Sequence, residues 1–493
     1  MVAIRGSSNG RTEAFEAFNL GSIPSPLAMK TINELIHSII PIEIIGDTDV
    51  FISSISINSK AIEEGGLFVA MKGEKLDGHV FINEVIEKGA KVIIHENEIE
   101  NPKDGIVYVK VADSHEACGI IASNFYDNPS KSLKLVGVTG TNGKTTIATL
   151  LHKLFRNLGK NAGMIGTVVN KINDKEIEAE RTTPDSITLN KLMKEMVEAG
   201  CEYCFMEVSS HAIALKRIAG LSFAGGIFTN LTHDHLDFHK TIEEYAKVKK
   251  EFFTNLPIGS FALSNLDSDY GEFMLSDTKS KRYFYSRNGE ANFFGHMETK
   301  LIGDFNQSNI LAIFGGAVLL GINEVDAKEQ IKNLEPAPGR FMAIKSSGGV
   351  TGIVDYAHTP DALKNVLETV NKMKEGGKVV ALFGCGGDRD KAKRPVMAKI
   401  GYDLSDILIL TTDNPRTEKP EEILKDMLAG IPDYDAEKVF VIVDRSKAIE
   451  KACDLAKGGD FVLLAGKGHE DYQEVNGVKS HFDDMEELKK YLV

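Results

Sequence analysis

The sequence lacks three features that would indicate a membrane, secreted or nucleic-acid-binding protein. No run of about 18 apolar residues exists to span a membrane, and residues 1–28 have no apolar core of a secretory signal. The net charge is −14 without a block of Lys and Arg, so nucleic-acid binding is not expected. The five scattered cysteines indicate reduced thiols and a cytoplasmic protein.

Length and pattern predict an α/β protein with three domains. The 493 residues are 42% hydrophobic and 26% charged, which allows each domain to bury a core. New patterns start at Lys134 and after Arg340. We therefore expect a poorly ordered extension over residues 1–28 and domains over residues 29–133, 134–341 and 342–493. The alternation of strands and helices predicts that the third domain is doubly wound and Rossmann-like, with ligands at the carboxyl ends of its strands.

A glycine loop joins a strand at residues 135–139 to a helix predicted at residues 144–158. Backbone N–H groups and the positive helix N-terminus can hold phosphate oxygens. Lys144 can reach the β- and γ-phosphates, and Thr145 can bind Mg²⁺. Val138 stands where the common ATPase loop has its first glycine, so this loop is a tighter variant. The predicted ATP-binding loop comprises Gly140, Thr141, Asn142, Gly143, Lys144, Thr145 and Thr146.

The loop and nine further motifs, in this order, resemble those of the Mur ligases. The motifs are residues 77–79, 182–185, 207–211, 228–231, 234–237, 355–360, 384–390, 413–416 and 465–470. The resemblance runs from about residue 57 to the end and is greatest to the members that add the third amino acid of the peptidoglycan stem peptide. It implies a central P-loop-type α/β ATPase domain, preceded by a UDP-sugar-binding domain and followed by an amino-acid-binding domain.

The resemblance also implies the reaction. ATP would phosphorylate the D-glutamyl γ-carboxylate of a UDP-muramoyl-dipeptide, and the amine of meso-2,6-diaminopimelate would displace phosphate from the acyl phosphate. Such a ligase of peptidoglycan precursor synthesis is expected to act in the cytoplasm as a monomer, with ATP as co-substrate and Mg²⁺ as cofactor.

Two anions meet in the first step, so cations are needed between them. The residues that the resemblance implies for catalysis are Lys144, Glu207, His235 and Lys249. Those implied for Mg²⁺ are Thr145, Glu207, His235 and Lys249, the last as a carbamate formed with CO₂. By composition alone, Lys249 and its two neighbouring lysines would form a solvated helix face.

Three histidines, His233, His235 and His239, could suggest a zinc site. Mg²⁺ prefers oxygen ligands and tolerates one His more readily than three, so we predict a role for His235 alone. The residues implied on the ATP side are Asn306, Asn309, Arg340, Asp355 and His358. Either asparagine could instead be a helix cap.

The UDP-sugar end departs from the family pattern at several positions. The residues implied there are Ile57, Ser59, Glu74, Lys75, Leu76, Thr182, Thr183, Ser209 and Arg217. The departures are Asn58, Lys60, Arg181, Leu215 and, near the metal motif, Lys240. Lys60 cannot form the bidentate fork of the usual arginine.

Residues 413–416 resemble the signature of enzymes that take meso-diaminopimelate, whose far end carries a second ammonium and carboxylate. Arg416 can clamp that carboxylate bidentately. Lysine lacks it and would leave the arginine unpaired. The predicted amino-acid site comprises Arg389, Asp413, Asn414, Pro415, Arg416, Gly466 and Glu470.

Three alternatives stay open. The same ligase could take lysine or lanthionine, since the motifs do not settle the amino acid. A folylpolyglutamate synthase would share the superfamily, but the motifs at 413–416 and 466–470 argue against it. A non-catalytic nucleotide-binding regulatory protein would have no need of the retained catalytic residues.

Overall fold

A computed structural model describes residues 29–73 and 76–492. The expectations for residues 1–28 and for Glu74 and Lys75 lie outside the described residues. Within the described ranges, no helix is both long and apolar enough to cross a membrane.

The first sheet has five strands in the order β2-β7-β6-β5-β4, with β2 antiparallel to its neighbour and the others parallel. Helices cover both faces, so successive side chains of the inner strands alternate between two cores. A short ladder joins β1 to β3. The elements are β1 (Lys30–Thr31), α1 (Ile32–Ile36), β2 (Glu43–Ile45), β3 (Phe51–Ile52), β4 (Ile55–Ser56), β5 (Leu67–Val69), α2 (Ile82–Glu87), β6 (Val92–His95), β7 (Val107–Lys110) and α3 (Ser114–Phe125), with 3₁₀ turns at Gly78–Phe81 and Pro129–Ser132.

The central sheet has nine strands in the order β11-β10-β9-β12-β8-β13-β14-β15-β16. Its first strand, β8, lies between β12 and β13 and is parallel to both. Strands β9 to β12 lie on one side of β8 and strands β13 to β16 on the other, so the strand order reverses at β8. This arrangement opens a crevice at the carboxyl end of β8. The elements are β8 (Lys134–Thr139), α4 (Lys144–Asn157), β9 (Ala162–Ile165), β10 (Val169–Ile172), β11 (Lys175–Glu178), α5 (Ser186–Glu198), β12 (Tyr203–Glu207), α6 (Ser210–Ala214), β13 (Gly225–Phe228), α7 (Leu236–His239), α8 (Ile242–Thr254), β14 (Phe261–Asn265), α9 (Gly271–Leu275), β15 (Lys281–Ser286), β16 (Phe293–Phe294), α10 (Asp304–Leu319) and α11 (Glu324–Asn333).

The third sheet has six strands in the order β17-β18-β22-β19-β20-β21, all parallel except the edge strand β17. Strands β19 and β22 are buried over their whole length, as expected for a sheet covered on both faces. A hairpin of β23 and β24 follows the sheet. The elements are β17 (Met342–Lys345), β18 (Thr351–Asp355), α12 (Pro360–Met373), β19 (Val379–Phe383), α13 (Lys393–Leu404), β20 (Ile407–Leu410), α14 (Pro420–Leu428), β21 (Val439–Val441), α15 (Arg445–Leu455), β22 (Phe461–Ala465), β23 (Tyr472–Val475), β24 (Val478–His481) and α16 (Asp484–Leu492).

The predicted fold class is confirmed, and the helix expected at residues 144–158 is α4, one residue shorter. The third sheet is mostly parallel, as its alternating pattern predicted. The edge hairpins β10–β11 and β23–β24 were not predicted, because their short strands carry few apolar residues. The exact domain boundaries stay a prediction.

Candidate active site

A cleft of about 1480 Å³ opens where the carboxyl edge of the central sheet faces that of the third sheet. The loops after β8, β12 and β13 line one side, and the loops after β18, β19, β20 and β22 line the other. Both sides therefore present the strand ends at which α/β sheets bind ligands.

The loop at residues 140–146 is held in a conformation that requires its two glycines. Gly140 and Gly143 have φ values of 150° and 89°. A Cβ atom at Gly140 would lie 1.8 Å from Thr229 Oγ1, and one at Gly143 would lie 2.5 Å from Asn309 Oδ1. The Thr229 hydroxyl donates a hydrogen bond to the Asn142 carbonyl at 2.6 Å, which fixes the loop against the strand next to it. The backbone can thus approach a phosphate group closely.

Lys144 starts α4 and folds back over this loop. Its Nζ donates hydrogen bonds to the carbonyls of Gly140 and Thr141 at 2.9 and 2.8 Å. Burial lowers the pKa of the Lys144 ammonium, while the carboxylates of Glu207 and Asp234 oppose this shift. The Lys144 ammonium therefore lies close to any phosphate group that the loop binds.

Glu207, at the end of β12, is 1% exposed and tightly fixed. Its carboxylate accepts hydrogen bonds from Thr145 Oγ1 at 2.8 Å, and from the Thr167 amide and hydroxyl at 2.8 and 3.1 Å. Arg340 Nη2 donates to the same Thr145 hydroxyl at 3.0 Å. The carboxylate and hydroxyl oxygens are hard ligands beside a phosphate-binding loop, which is the donor set that Mg²⁺ uses together with phosphates and water. The residues therefore fit this ion.

The three histidines have different surroundings. His235 caps α7 with φ 54° and lies 3.3 Å from Asp234, and burial lowers the pKa of its imidazole to about 3. His239 contacts the Ser210 hydroxyl at 2.8 Å, whereas His233 faces Asp390 across the cleft at 3.4 Å. In residues 29–73 and 76–492, no three His, Cys, Asp or Glu side chains form a metal-binding group. The three side chains thus do not converge on one point, and of these three histidines His235 is the one that lines the cleft.

Lys249 is the one lysine of the three on α8 that points inward. It is 1% exposed, donates to the Gly140 carbonyl at 3.0 Å, and lies 4.6 Å from the Tyr245 ring centroid. Burial and the nearby Lys144 hold its pKa well below the usual value. Lys247 is exposed and Lys250 pairs with Asp277 at 2.5 Å. A solvated face thus describes Lys247 but not Lys249.

The two asparagines of the ATP side are not helix caps. Gly303 is the N-cap of α10, and Asn306 and Asn309 lie inside the helix, both buried. Asn306 donates to the Ile302 carbonyl at 2.7 Å and accepts from Asn309 Nδ2 at 3.1 Å. This orientation turns Asn309 Oδ1 toward Gly143 of the loop. The alternative reading of either residue as a cap is therefore wrong.

The phosphate side of the cleft is completed by Arg340, which precedes β17, and by Asp355 and His358 at the end of β18. Arg340 stacks 4.6 Å from the Tyr356 ring centroid. Asp355 accepts a hydrogen bond from the Phe341 amide at 2.7 Å, and burial raises the pKa of its carboxyl to about 6. Burial lowers the pKa of the His358 imidazole to about 4.

One contact across the cleft was missed by the sequence analysis. Asn142 Nδ2 donates to Asp361 Oδ2 at 2.9 Å, joining the phosphate loop to the N-terminus of α12. Lys393 is also buried in the cleft wall. No local pattern marks the contact of Asp361 with the loop, because Asn142 is distant in sequence.

The residues predicted for the UDP-sugar end fall into two places. Those that line the cleft are Thr182, Thr183, Ser209 and Arg217. Arg217 Nη1 donates to the Thr183 carbonyl at 3.0 Å, and the Thr183 hydroxyl donates to the Glu207 carbonyl at 2.8 Å. Ile57, Ser59 and Leu76 do not line the cleft; they lie in the loops that follow β4 and β5 at the carboxyl edge of the first sheet.

The predicted amino-acid residues come together at the far end of the cleft. Arg416 has φ 51°, donates to the Gly387 carbonyl at 2.8 Å, and has its Nε 3.7 Å from Glu474 Oε2. Asn414 Nδ2 donates to Glu470 Oε2 at 2.7 Å. The residues of this set that line the cleft are Arg389, Asp413, Asn414, Arg416, Gly466 and Glu470, while Pro415 does not. Lys467, which the motif contains but to which the sequence assigned no role, is fully buried beneath them.

Comparison with known proteins identifies the family. The Mur ligase family catalytic domain matches residues 51–126, the Mur ligase middle domain residues 138–317, and the Mur ligase glutamate ligase domain residues 339–468. The UDP-N-acetylmuramoyl-L-alanyl-D-glutamate--2,6-diaminopimelate ligase of Bacteroides thetaiotaomicron is 53% identical over 477 residues, which cover 93% of this chain and 99% of that protein. The ligase of the same name from Bacteroides fragilis is 52% identical over 477 residues, which cover 93% and 98%.

A solved structure of a ligase with this name has a TM-score of 0.66 and 30% identity, and the match covers 94% of this chain and 99% of that one. The resemblance carried by the ordered motifs is thereby confirmed. The chain belongs to the Mur ligase family.

Proposed function

We propose that this protein is an ATP-dependent ligase that joins meso-2,6-diaminopimelate to the D-glutamyl γ-carboxylate of UDP-N-acetylmuramoyl-L-alanyl-D-glutamate in peptidoglycan synthesis. The proposal is based on one observation: a single cleft contains the phosphate loop, the fixed carboxylate of Glu207, and a group of acidic and basic side chains that could bind the ammonium and carboxylate of an amino acid. The names of the relatives at 52–53% identity support the choice of substrates.

The phosphate end prepares the transfer of the γ-phosphoryl group. The loop amides and Lys144 bind and orient the phosphates, and Arg340 adds a second positive charge beside Thr145. These groups offset the repulsion between the nucleotide and the incoming substrate carboxylate. Asn306, Asn309, Asp355 and His358 hold the rest of the nucleotide between the two sheets.

Mg²⁺ would be held by the oxygens of Thr145 and Glu207, and by His235 in the loop after β13. It supplies Lewis-acid stabilisation of the charge on the transferring phosphoryl group. Glu207 is suited to hold it, because three hydrogen bonds fix the carboxylate in place. The neutral imidazole of His235 is the form that can act as a ligand.

We further propose that Lys249 carries a carbamate. Only an uncharged amine attacks CO₂, and burial holds the pKa of Lys249 well below its usual value. The product is an anion next to Lys144, whose positive charge would stabilise it. A carbamate here would add oxygen donors for a cation beside the phosphate loop, where Lys249 contacts the Gly140 carbonyl.

The amino-acid end would hold the far end of diaminopimelate and direct its near amine at the acyl phosphate. Arg416 and Arg389 would take the far carboxylate, while Asp413 and Glu470 would accept from the far ammonium. Because the proposed ligands all come from one chain, a monomer suffices. We place the reaction in the cytoplasm, where ATP and UDP-sugars are made.

The test is to incubate the protein with UDP-N-acetylmuramoyl-L-alanyl-D-glutamate, ATP, Mg²⁺ and one amino acid at a time, and to weigh the product. Diaminopimelate should give a conjugate with one phosphate released per bond formed. Preference for lysine would contradict the assignment of Arg416, whereas preference for lanthionine, which also has a far ammonium and carboxylate, would change only the identity of the amino acid. Use of a folate substrate, or ATP binding without turnover on any substrate, would contradict the proposal itself.

A further inference from the structure

Lys467 lies in the loop after β22, beneath the proposed amino-acid site, and it is 0% exposed. Burying an ammonium is costly unless its donors are used and its charge is offset. Lys467 Nζ donates to Asn414 Oδ1 at 3.2 Å and to the Tyr472 carbonyl at 2.5 Å. It lies 3.5 Å from Asp413 Oδ1 and 3.5 Å from Glu470 Oε2. The lysine thus contacts each side chain predicted for the far ammonium.

Lys467 also determines how Asn414 faces the site. The amide oxygen of Asn414 accepts from Lys467 and from the Glu474 amide at 2.9 Å, so the amide nitrogen must point to Glu470. Asn414 therefore serves mainly to hold Glu470. Asp413 Oδ1 is buried without a hydrogen-bond partner, and Lys467 is its ion-pair partner. The carboxylates of Asp413 and Glu470 are therefore the groups available to bind the far ammonium of the ligand.

The charges form two groups that we name poles. The ammonium pole consists of Asp413, Glu470 and Lys467 and has a net charge of −1. The carboxylate pole consists of Arg389, Arg416 and Glu474, whose carboxylate lies 3.7 Å from Arg416, and it has a net charge of +1. The far end of diaminopimelate carries one ammonium and one carboxylate. Without Lys467, the ammonium pole would carry −2, and Glu470 would more readily take up a proton that the ligand's ammonium must then displace.

We propose that Lys467 is a positioning residue that sets substrate specificity: a buried counter-ion that orients Asn414 and offsets one of the two negative charges of Asp413 and Glu470, so that the ammonium pole accepts one ammonium. This inference rests on the proposed function, since it assigns Lys467 a part in binding the far end of diaminopimelate.

The pKa of Glu470 gives this role a measurable consequence. Burial and the neighbouring Asp413 raise its pKa, whereas Lys467 and the hydrogen bond from Asn414 lower it. The other groups that face Glu470 are the hydroxyl of Tyr356 at 3.5 Å, Tyr472 and Arg445. Because Lys467 provides the main opposing charge, its removal should raise the pKa of Glu470 further.

The test compares the wild type with Lys467→Met, Glu470→Gln and the double variant, measuring the KM for diaminopimelate from pH 6 to 8.5. In Lys467→Met, this KM relative to wild type should increase as the pH falls, by up to about tenfold per pH unit, because Glu470 must lose a proton to accept the ammonium. The double variant has no titrating carboxylate at position 470, so its KM should lose the added pH dependence. Lys479→Met, which removes an exposed lysine from the same cleft, is the matched control and should show no such trend.

A KM for Lys467→Met that is unchanged, or raised equally at every pH, would overturn the inference. Melting without any substrate gives a readout that does not depend on the proposed function. Lys467→Met should lower the melting temperature more at pH 8 than at pH 5, and the additional Glu470→Gln change should recover part of the loss. No recovery would overturn the counter-ion role. A wild type that does not use diaminopimelate would instead overturn the proposed function, while the melting data would still decide the charge role.

Discussion

Replacing Asp484 with Asn should destabilise the third domain strongly, because it leaves a buried guanidinium without its counter-charge. Arg445 and Asp484 are both 0% exposed and form a bidentate pair with distances of 2.7 and 2.6 Å. Arg445 also donates to the Thr412 and Ala465 carbonyls at 3.4 and 3.1 Å. Breaking one side of such a buried pair costs about 3–5 kcal/mol. At about 2–4 °C per kcal/mol, the domain should melt roughly 10 °C lower.

The chain contains no tryptophan, so intrinsic fluorescence is a poor probe of this unfolding. Hydrogen exchange read by mass spectrometry can follow β22 and α15 directly, and scanning calorimetry gives the melting temperature. Asp403→Asn is the matched control, since Lys399 and Asp403 pair on the surface of the same domain with 60% and 47% of their side chains exposed. That change should have little effect.

The double change Arg445→Met with Asp484→Met removes both charges and should recover much of the lost stability. The Thr412 and Ala465 carbonyls precede Asp413 and Gly466, so Asp484→Asn should also raise the KM for the amino acid. Melting of Asp484→Asn within about 2 °C of the wild type would refute the claim that this pair is desolvated and essential to the domain.

Three further changes test other parts of the cleft. Lys144→Ala should abolish release of phosphate, because it removes the ammonium that folds back over the phosphate loop. Turnover at the wild-type rate would contradict the role of Lys144. Arg416→Ala should mainly raise the KM for diaminopimelate, measured by steady-state kinetics. Loss of charge-assisted hydrogen bonds worth about 2–4 kcal/mol corresponds to an increase of roughly 30- to 900-fold. An unchanged KM would show that the carboxylate clamp is wrong. Burial raises the pKa of the Asp355 carboxyl to about 6 in the folded protein, compared with about 4 in the unfolded chain. Above pH 4 the cost of ionising this buried carboxyl therefore lowers the stability of the folded protein. Asp355→Asn should therefore melt above the wild type at pH 8, and a gain that does not shrink toward pH 4 would contradict this reasoning.

The sequence was most informative where local geometry decides the chemistry. The phosphate loop could be predicted because its glycines precede a helix that starts with Lys144, and the structure shows why no larger residue fits at Gly140 or Gly143. The order of polar motifs after apolar strands predicted which loops line the cleft. The identity of Arg416 as a carboxylate clamp is a proposal of the same kind, since it depends on the residue type and its motif.

Tertiary structure decided everything that depends on partners distant in the chain. Composition could not distinguish Lys249 from its neighbours on α8, since only the packing of that helix against the loop buries one of the three lysines. The contact of Asn142 with Asp361 spans 219 positions, and no local pattern encodes it. Lys467 had a motif but no role until its burial against Asp413 and Glu470 was seen. A sequence shows which charged residues are present. The pKa of each group and its contribution to stability depend on its solvent exposure and its neighbours, and these are defined only in the folded chain.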